Sequence, residues 1–137
     1  MKEIREYIKA NIRKADAALI EHDGSTSVEQ LPATKINSLY MVSFGEFSTV
    51  QDNYFRDTVP VEIRLYKNSS KASGMSFDKC VELAKSIRSK LVSPLNVAQS
   101  ASIGSIKANN FQVSEYASNL DVLEIKLSLT VEVSNPL

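Results

Sequence analysis

Residue types that could carry out chemistry are few in this chain, and their spacing does not gather them. His22 is the only histidine and lies between Glu21 and Asp23 in "EHD". Adjacent helix residues do not face one another, so this run makes a poor metal cluster. It reads better as a solvated helix C-terminus. Cys80 is the only cysteine. A thiol attacks only as a thiolate with a base and an activating environment beside it. Cys80 sits instead next to the apolar stripe of a predicted helix and reads as a small core residue. The four glycines are scattered, and "GSIKAN" matches no phosphate-binding loop. Carboxylates are plentiful, but no spacing selects a catalytic pair. The sequence therefore predicts no enzyme activity, no cofactor and no metal.

What stands out is the distribution of aromatic and basic residues. The stretch "GEFSTVQDNYFRDTVP" joins two predicted strands and places Phe47, Tyr54 and Phe55 among polar neighbours. Aromatic and arginine side chains are enriched at protein interfaces. Phe47, Tyr54, Phe55, Arg56 and Asp57, with Tyr66 further on, are thus candidates for contact with another subunit or partner, and Tyr54, Phe55 and Arg56 are the favoured anchors. The competing reading is a loop whose rings pack back on their own domain. Lys2, Arg5, Lys9 and Arg13 form a basic stripe on the first helix. It is read as a solvated face beside Glu3 and Glu6, or as a docking stripe for an acidic surface.

The elements that must position these residues follow from periodicity. Ile4, Ile8, Ile12, Ala15 and Leu19 recur at steps of three and four, predicting a helix that stops at Gly24. Tyr40, Val42 and Phe44 alternate in a strand over 39–44. Val59, Val61, Ile63 and Leu65 alternate in a second strand over 59–66. A second helix is expected from a Ser76 cap to about Val92, with Asp78 in its first turn and Pro94 ending it. Its apolar stripe is Phe77, Val81, Ala84, Ile87 and Leu91. A strand over 111–116 leads through the turn "SNLD" to a last one. There Leu123, Ile125, Leu127, Leu129, Val131 and Val133 share one face, over roughly 40 Å of chain. The predicted fold is an α+β two-layer sandwich in the order α-β-β-α-β-β, with a mainly antiparallel sheet of about four strands under two helices. Long loops are expected at about 24–38, 46–58, 67–76 and 95–110, and loops of that length in a compact domain are usually functional or disordered.

Bulk properties agree with a single domain. The chain has 137 residues, 43% of them hydrophobic and 23% charged. That length lets roughly two thirds of the extended surface be buried without disulfides or metal. Sixteen basic residues balance sixteen acidic ones, unlike the basic excess of a general nucleic-acid binder. No apolar run approaches the ~18 residues of a membrane span, and "MKEIREYIKANIRK" has no apolar core of a secretory signal. With one cysteine, a reducing compartment is expected.

These segments resemble the tail terminator (tail completion, or minor tail) proteins of long-tailed bacteriophages. The resemblance lies in the length, the helix beginning "MKEIREYIKANI", the strand "LYMVSFGEF" and the strand "VPVEIRLYKN". It continues through a Ser/Gly-rich loop into "SFDKCVELAKSIRSKL" and ends with "LEIKLSLTVEV". It implies a structural virion protein, assembled in the bacterial host cytoplasm. Such proteins form a ring, commonly hexameric, on the head-proximal end of the tail. The ring ends tail-tube polymerisation and provides the docking surface for the head connector. The implied partners are further copies of the chain, the tail tube protein, the head connector or neck protein and, in contractile tails, the sheath. DNA would only pass through the lumen. A head-side neck protein of the same joint and a small-molecule-binding regulatory domain are the alternatives.

Overall fold

The structure, a computed structural model, describes residues 2–22, 39–51, 55–68, 76–100, 103–117 and 122–134. The expected loop at 24–38 and Tyr54 lie outside these residues. The described residues form three helices and six strands: α1 Lys2–Ala15, β1 Ile20–Glu21, β2 Leu39–Phe44, β3 Ser48–Gln51, β4 Phe55–Asn68, α2 Phe77–Val92, α3 Pro94–Ala98, β5 Ile103–Ala117 and β6 Val122–Ser134. The class is α+β, as expected, but the sheet is larger and mixed. Its order is β1-β2-β4-β6-β5, with β3 also paired to β4. β1 runs parallel to β2, and the other pairings are antiparallel.

Alternation decides which face is buried. Val59, Val61, Ile63 and Leu65 of β4 and Ile125, Leu127, Leu129 and Val131 of β6 are all buried. They pack against Ile4, Ile8 and Ile12 of α1 and Cys80, Ala84, Ile87 and Leu91 of α2. The two helices are tied together by the Tyr7 hydroxyl, which donates to the Leu91 carbonyl at 2.5 Å. At the flanks an arginine covers a ring: Arg5 over Phe44 at 4.9 Å and Arg88 over Phe111 at 5.0 Å. The intervening residues of β4 and β6 form a polar outer face. Arg56 meets Glu132 at 3.2 Å, Arg64 meets Glu62 at 2.9 Å, and Lys126 reaches Glu62 at 3.8 Å.

Helix α1 ends at Ala15, not at Gly24. Asp16 supplies the reason. Its carboxylate accepts the Ala18 N–H at 3.1 Å, so the side chain offers the backbone a turn in place of another helical bond. Arg13 then donates to the Ala17 carbonyl at 3.2 and 3.1 Å. Leu19 is buried, as its spacing suggested, but from the segment leading into β1. Helix α2 starts as expected, with the Ser76 hydroxyl accepting the Lys79 N–H at 3.3 Å. Its buried stripe is rotated, however: Cys80 lies in the core while Phe77 is 53% exposed. Pro94 ends α2 and also opens α3, because proline's missing N–H is harmless at a first helical position.

Two expected loops are largely regular structure. Of 95–110, most is α3 and the start of β5, whose 15 residues are a strand edge rather than a Ser/Ala/Asn-rich connection. Of 46–58, residues 48–51 and 55–58 pair as a hairpin. Lys67 and Asn68, at the start of the expected loop 67–76, end β4.

Candidate assembly interface

The β2–β3 edge is where sequence placed most of the candidate contacts. Phe44 pairs with Val61, and Ser48 pairs with Thr58. Residues 45–47 on one strand therefore face residues 59–60 on the other, one extra residue, which is a β-bulge. Gly45 makes it feasible. Its N–H donates to the Pro60 carbonyl at 2.8 Å, and a Cβ added there would lie 2.8 Å from Pro60 Cγ. The bulge leaves Glu46 and Phe47 exposed, Phe47 at 42%. Beyond it the hairpin is held by polar pairs: the Thr49 hydroxyl donates to Asp57 at 2.8 Å, and the Thr58 hydroxyl donates to the Ser48 carbonyl at 3.3 Å. The helix-side row changes here from buried Val59 to half-buried Asp57, which marks where the apolar core ends.

The other candidates are dispersed. Arg56 lies on the outer face and is bonded to Glu132. The backbone of Phe55 opens β4. Tyr66 is only 2% exposed. It packs edge-on against Tyr116, with ring centroids 4.9 Å apart, in a small outer-face cluster with Val122 and Met41. Burial and neighbouring Glu124 push its hydroxyl pKa well above the ordinary range. Tyr66 thus offers little side-chain surface to a partner. In the basic stripe, Arg5 turns inward to pair with Glu21 and cover Phe44, and Arg13 closes the end of α1. Lys2 and Lys9 stand exposed.

Concave regions among the described residues include the following three. A groove of about 480 Å³ runs between the α2–α3 junction and the start of β5. It is lined by Val92, Pro94, Val97, Ile103 and Ile106, among others, and by no titratable side chain. A polar groove of about 380 Å³ lies between α1 and α3, and a dimple of about 260 Å³ sits over Gly45 and Pro60. Among the described residues no group of three or more His, Cys, Asp or Glu is placed to hold a metal ion. Cys80 is fully buried, and burial raises its thiol pKa despite the nearby Lys67 charge. His22 is half-buried, and its backbone N–H donates to the Tyr40 carbonyl at 2.8 Å. Among the described residues no helix is long and apolar enough to cross a membrane.

Sequence placed a strand at 111–116, within β5, but missed its first half, 103–110, and the apolar groove beside it. The only available signal was Ile103 and Ile106, and β5 has register irregularities between Ile103 and Ser105, between Ala108 and Asn110, and between Glu115 and Ala117. Those irregularities break the period of two that would have betrayed a strand.

No protein-family model matches the chain, and no curated protein sequence matches it. Among solved structures, a chain from the "Virion of native gene transfer agent (GTA) particle" is similar in path, with a TM-score of 0.49 and 9% sequence identity. The alignment covers 96% of this chain and 92% of that one.

Proposed function

We propose that this chain is a structural virion protein that forms a ring at the head-proximal end of a phage tail, where it ends tube polymerisation and receives the head connector. The sequence resemblance supplies the role. The geometric observation that supports it is the open sheet. Among the described residues β5 pairs only with β6, and β3 only with β4, so both lateral edges keep unpaired backbone groups. Exposed edges of that kind are templates for pairing with another chain. The long strands suit the same role: β4, β5 and β6 have 14, 15 and 13 residues, about twice the usual length.

The test is electron microscopy of cognate tail tubes with and without the purified protein. Capped tubes of limited length are expected. Tubes that stay uncapped and keep growing in its presence would refute the reading. Recovery on isolated heads rather than on tails would favour the head-side neck protein. The small-molecule reading draws on the 480 Å³ groove. It predicts a raised melting temperature with some member of a metabolite panel and no assembly defect when the groove is filled.

A further inference from the structure

The two lateral edges of the sheet match each other row by row. Following the pairings across the sheet, Pro60 pairs with Thr130 and Thr130 with Lys107. Val59 pairs with Val131 and Val131 with Ile106, while Thr58 pairs with Glu132 and Glu132 with Ser105. The bulge at 45–47 lies opposite residues 59–60. Glu46 and Phe47 on one edge therefore stand at the same height along the strands as Ser105, Ile106 and Lys107 on the other.

The faces match as well. Phe44 and Thr49 both lie on the helix side, so the extra residue of the bulge takes up the change of parity between them, and counting back from Thr49 sets Phe47 toward the helix side. The apolar groove, with Val97, Ile103 and Ile106, is also on the helix side. Glu46 and Lys107 have the opposite parity, toward the polar outer face. Both are exposed, and neither has an ion-pair partner among the described residues. The strand directions are compatible too, since β2 and β3 run antiparallel to β4, β4 to β6, and β6 to β5. β3 of one copy would thus meet β5 of another as an antiparallel pair.

We infer that the occupant of the β5 edge is the bulge edge of a second copy, with Glu46 facing Lys107 on the outer face and Phe47 entering the groove beside Ile106 on the helix side. The contact joins two different patches, so it is heterologous and closes into a ring if the rotation between copies permits. Opposite charge at one height sets the register, and the ring of Phe47 fills apolar space that a single copy leaves open. This inference rests on the ring reading above and specifies which surfaces meet.

The experiment uses the full chain with Glu46→Cys and Lys107→Cys together, treated with a short bis-maleimide and sized by denaturing gel and native mass spectrometry. Buried Cys80 serves as the unreactive control in the wild type. On the denaturing gel the double variant is expected to give a ladder of covalent oligomers, and each single variant to run as a monomer. Charge reversal is the second arm. Glu46→Lys and Lys107→Glu should each weaken self-association about tenfold, and the two together should restore it. Dimers from Glu46→Cys alone would mean like patches meet, and would overturn the inference. Ring-sized particles without a 46–107 link would also overturn it while leaving the ring reading intact. Cross-links from either position to tube protein instead of a second copy would overturn it in the same way. A wild-type chain that neither self-associates nor caps tubes would remove the ring reading and this contact together.

Discussion

Two cations near opposite ends of β4 make similar bonds in very different settings. Lys67 faces the helices, and its ammonium lies 2.9 Å from the Asp16 carboxylate. Arg56 faces outward and meets Glu132 at 3.2 Å. The acids are equally exposed, each at 26%, but the Lys67 side chain is 3% exposed against 34% for Arg56. Burial, not bond length, separates them. Water can replace a lost partner of Arg56, whereas the ammonium of Lys67 has almost no access to it. The contrast extends to the whole sheet, whose helix face is specified by packing and whose outer face is held by exchangeable polar pairs.

The sharpest test of that contrast uses neighbours on β6. Leu127 is 1% exposed and Ser128 lies on the outer face. Leu127→Ala should lower unfolding stability by about 2–5 kcal/mol, the usual loss for a buried leucine. Ser128→Ala should stay within about 0.5 kcal/mol. Urea denaturation of both variants measures the pair, and comparable losses would mean that the outer face is packed against something.

The ion pairs should rank next. Asp16→Ala is expected to remove about 1.5–3 kcal/mol, because it takes a charged hydrogen-bond partner from a buried ammonium. Glu132→Ala should remove less than about 1 kcal/mol, and that effect should fade in high salt. The pH dependence carries the same signature. Burial raises the Asp16 pKa, but the Lys67 hydrogen bond, the Ala18 N–H and the Lys67 charge together outweigh it and hold the carboxyl below its ordinary 3.8. A carboxyl lowered on folding contributes stability above its unfolded pKa and loses it as pH falls through the folded value. Wild type should therefore lose stability below about pH 4 by an amount that Asp16→Ala no longer shows. A pair of acid titrations followed by circular dichroism would detect the difference.

The helix face was largely legible in the sequence because one period governs each of its elements. Leu123 through Val133 alternate without interruption, and Ile4, Ile8 and Ile12 keep helical spacing; all six of the β6 residues and all three isoleucines contribute to the core. The edges were not legible, for the same physical reason reversed. A bulge adds a residue, so Gly45–Phe47 and the first half of the irregular β5 lose the period and read as loops, while 111–116 read as a strand. Asp16 ended α1 early through a local hydrogen bond that periodicity does not encode. The candidate contacts divided along this line. Tyr66 looked like a surface aromatic, yet it is covered by an edge-on neighbour on β5, Tyr116, which lies far along the chain and which sequence spacing could not supply. Phe47 kept its exposure beside the bulge at the sheet edge.

That makes Gly45 the next position to test. An alanine there would bring a methyl 2.8 Å from the Pro60 ring, which is rigid and cannot swing away. Gly45→Ala should lower stability by about 1–3 kcal/mol, the range for overpacking. It should also weaken self-association, by displacing Glu46 and Phe47. Melting temperature and sedimentation velocity read the two effects separately, and an unchanged value in both would show that the bulge tolerates a side chain.

The smallest effect should come from a group that the core tolerates rather than uses. Tyr40 on β2 is fully buried, and its hydroxyl has no hydrogen-bond partner among the described residues. Burial pushes its pKa up to about 12, with the Glu21 charge adding to the rise and Arg13 and Arg5 opposing it. Removing a buried, unsatisfied hydroxyl takes away a desolvation penalty while keeping the ring, so Tyr40→Phe should be neutral or stabilise by up to about 1 kcal/mol at pH 7. The sign of the alkaline effect follows from the raised pKa. The neutral phenol is favoured in the folded state, so its contribution is complete below the ordinary value of 10.0 and is lost as pH rises toward 12. Tyr40→Phe should therefore unfold less readily than wild type between pH 10 and 12, by a margin that exceeds any difference at pH 7. A destabilised Tyr40→Phe at neutral pH would mean instead that the hydroxyl has a partner holding the β2 edge in place, and the helix face would then depend on a polar contact as much as the outer face does.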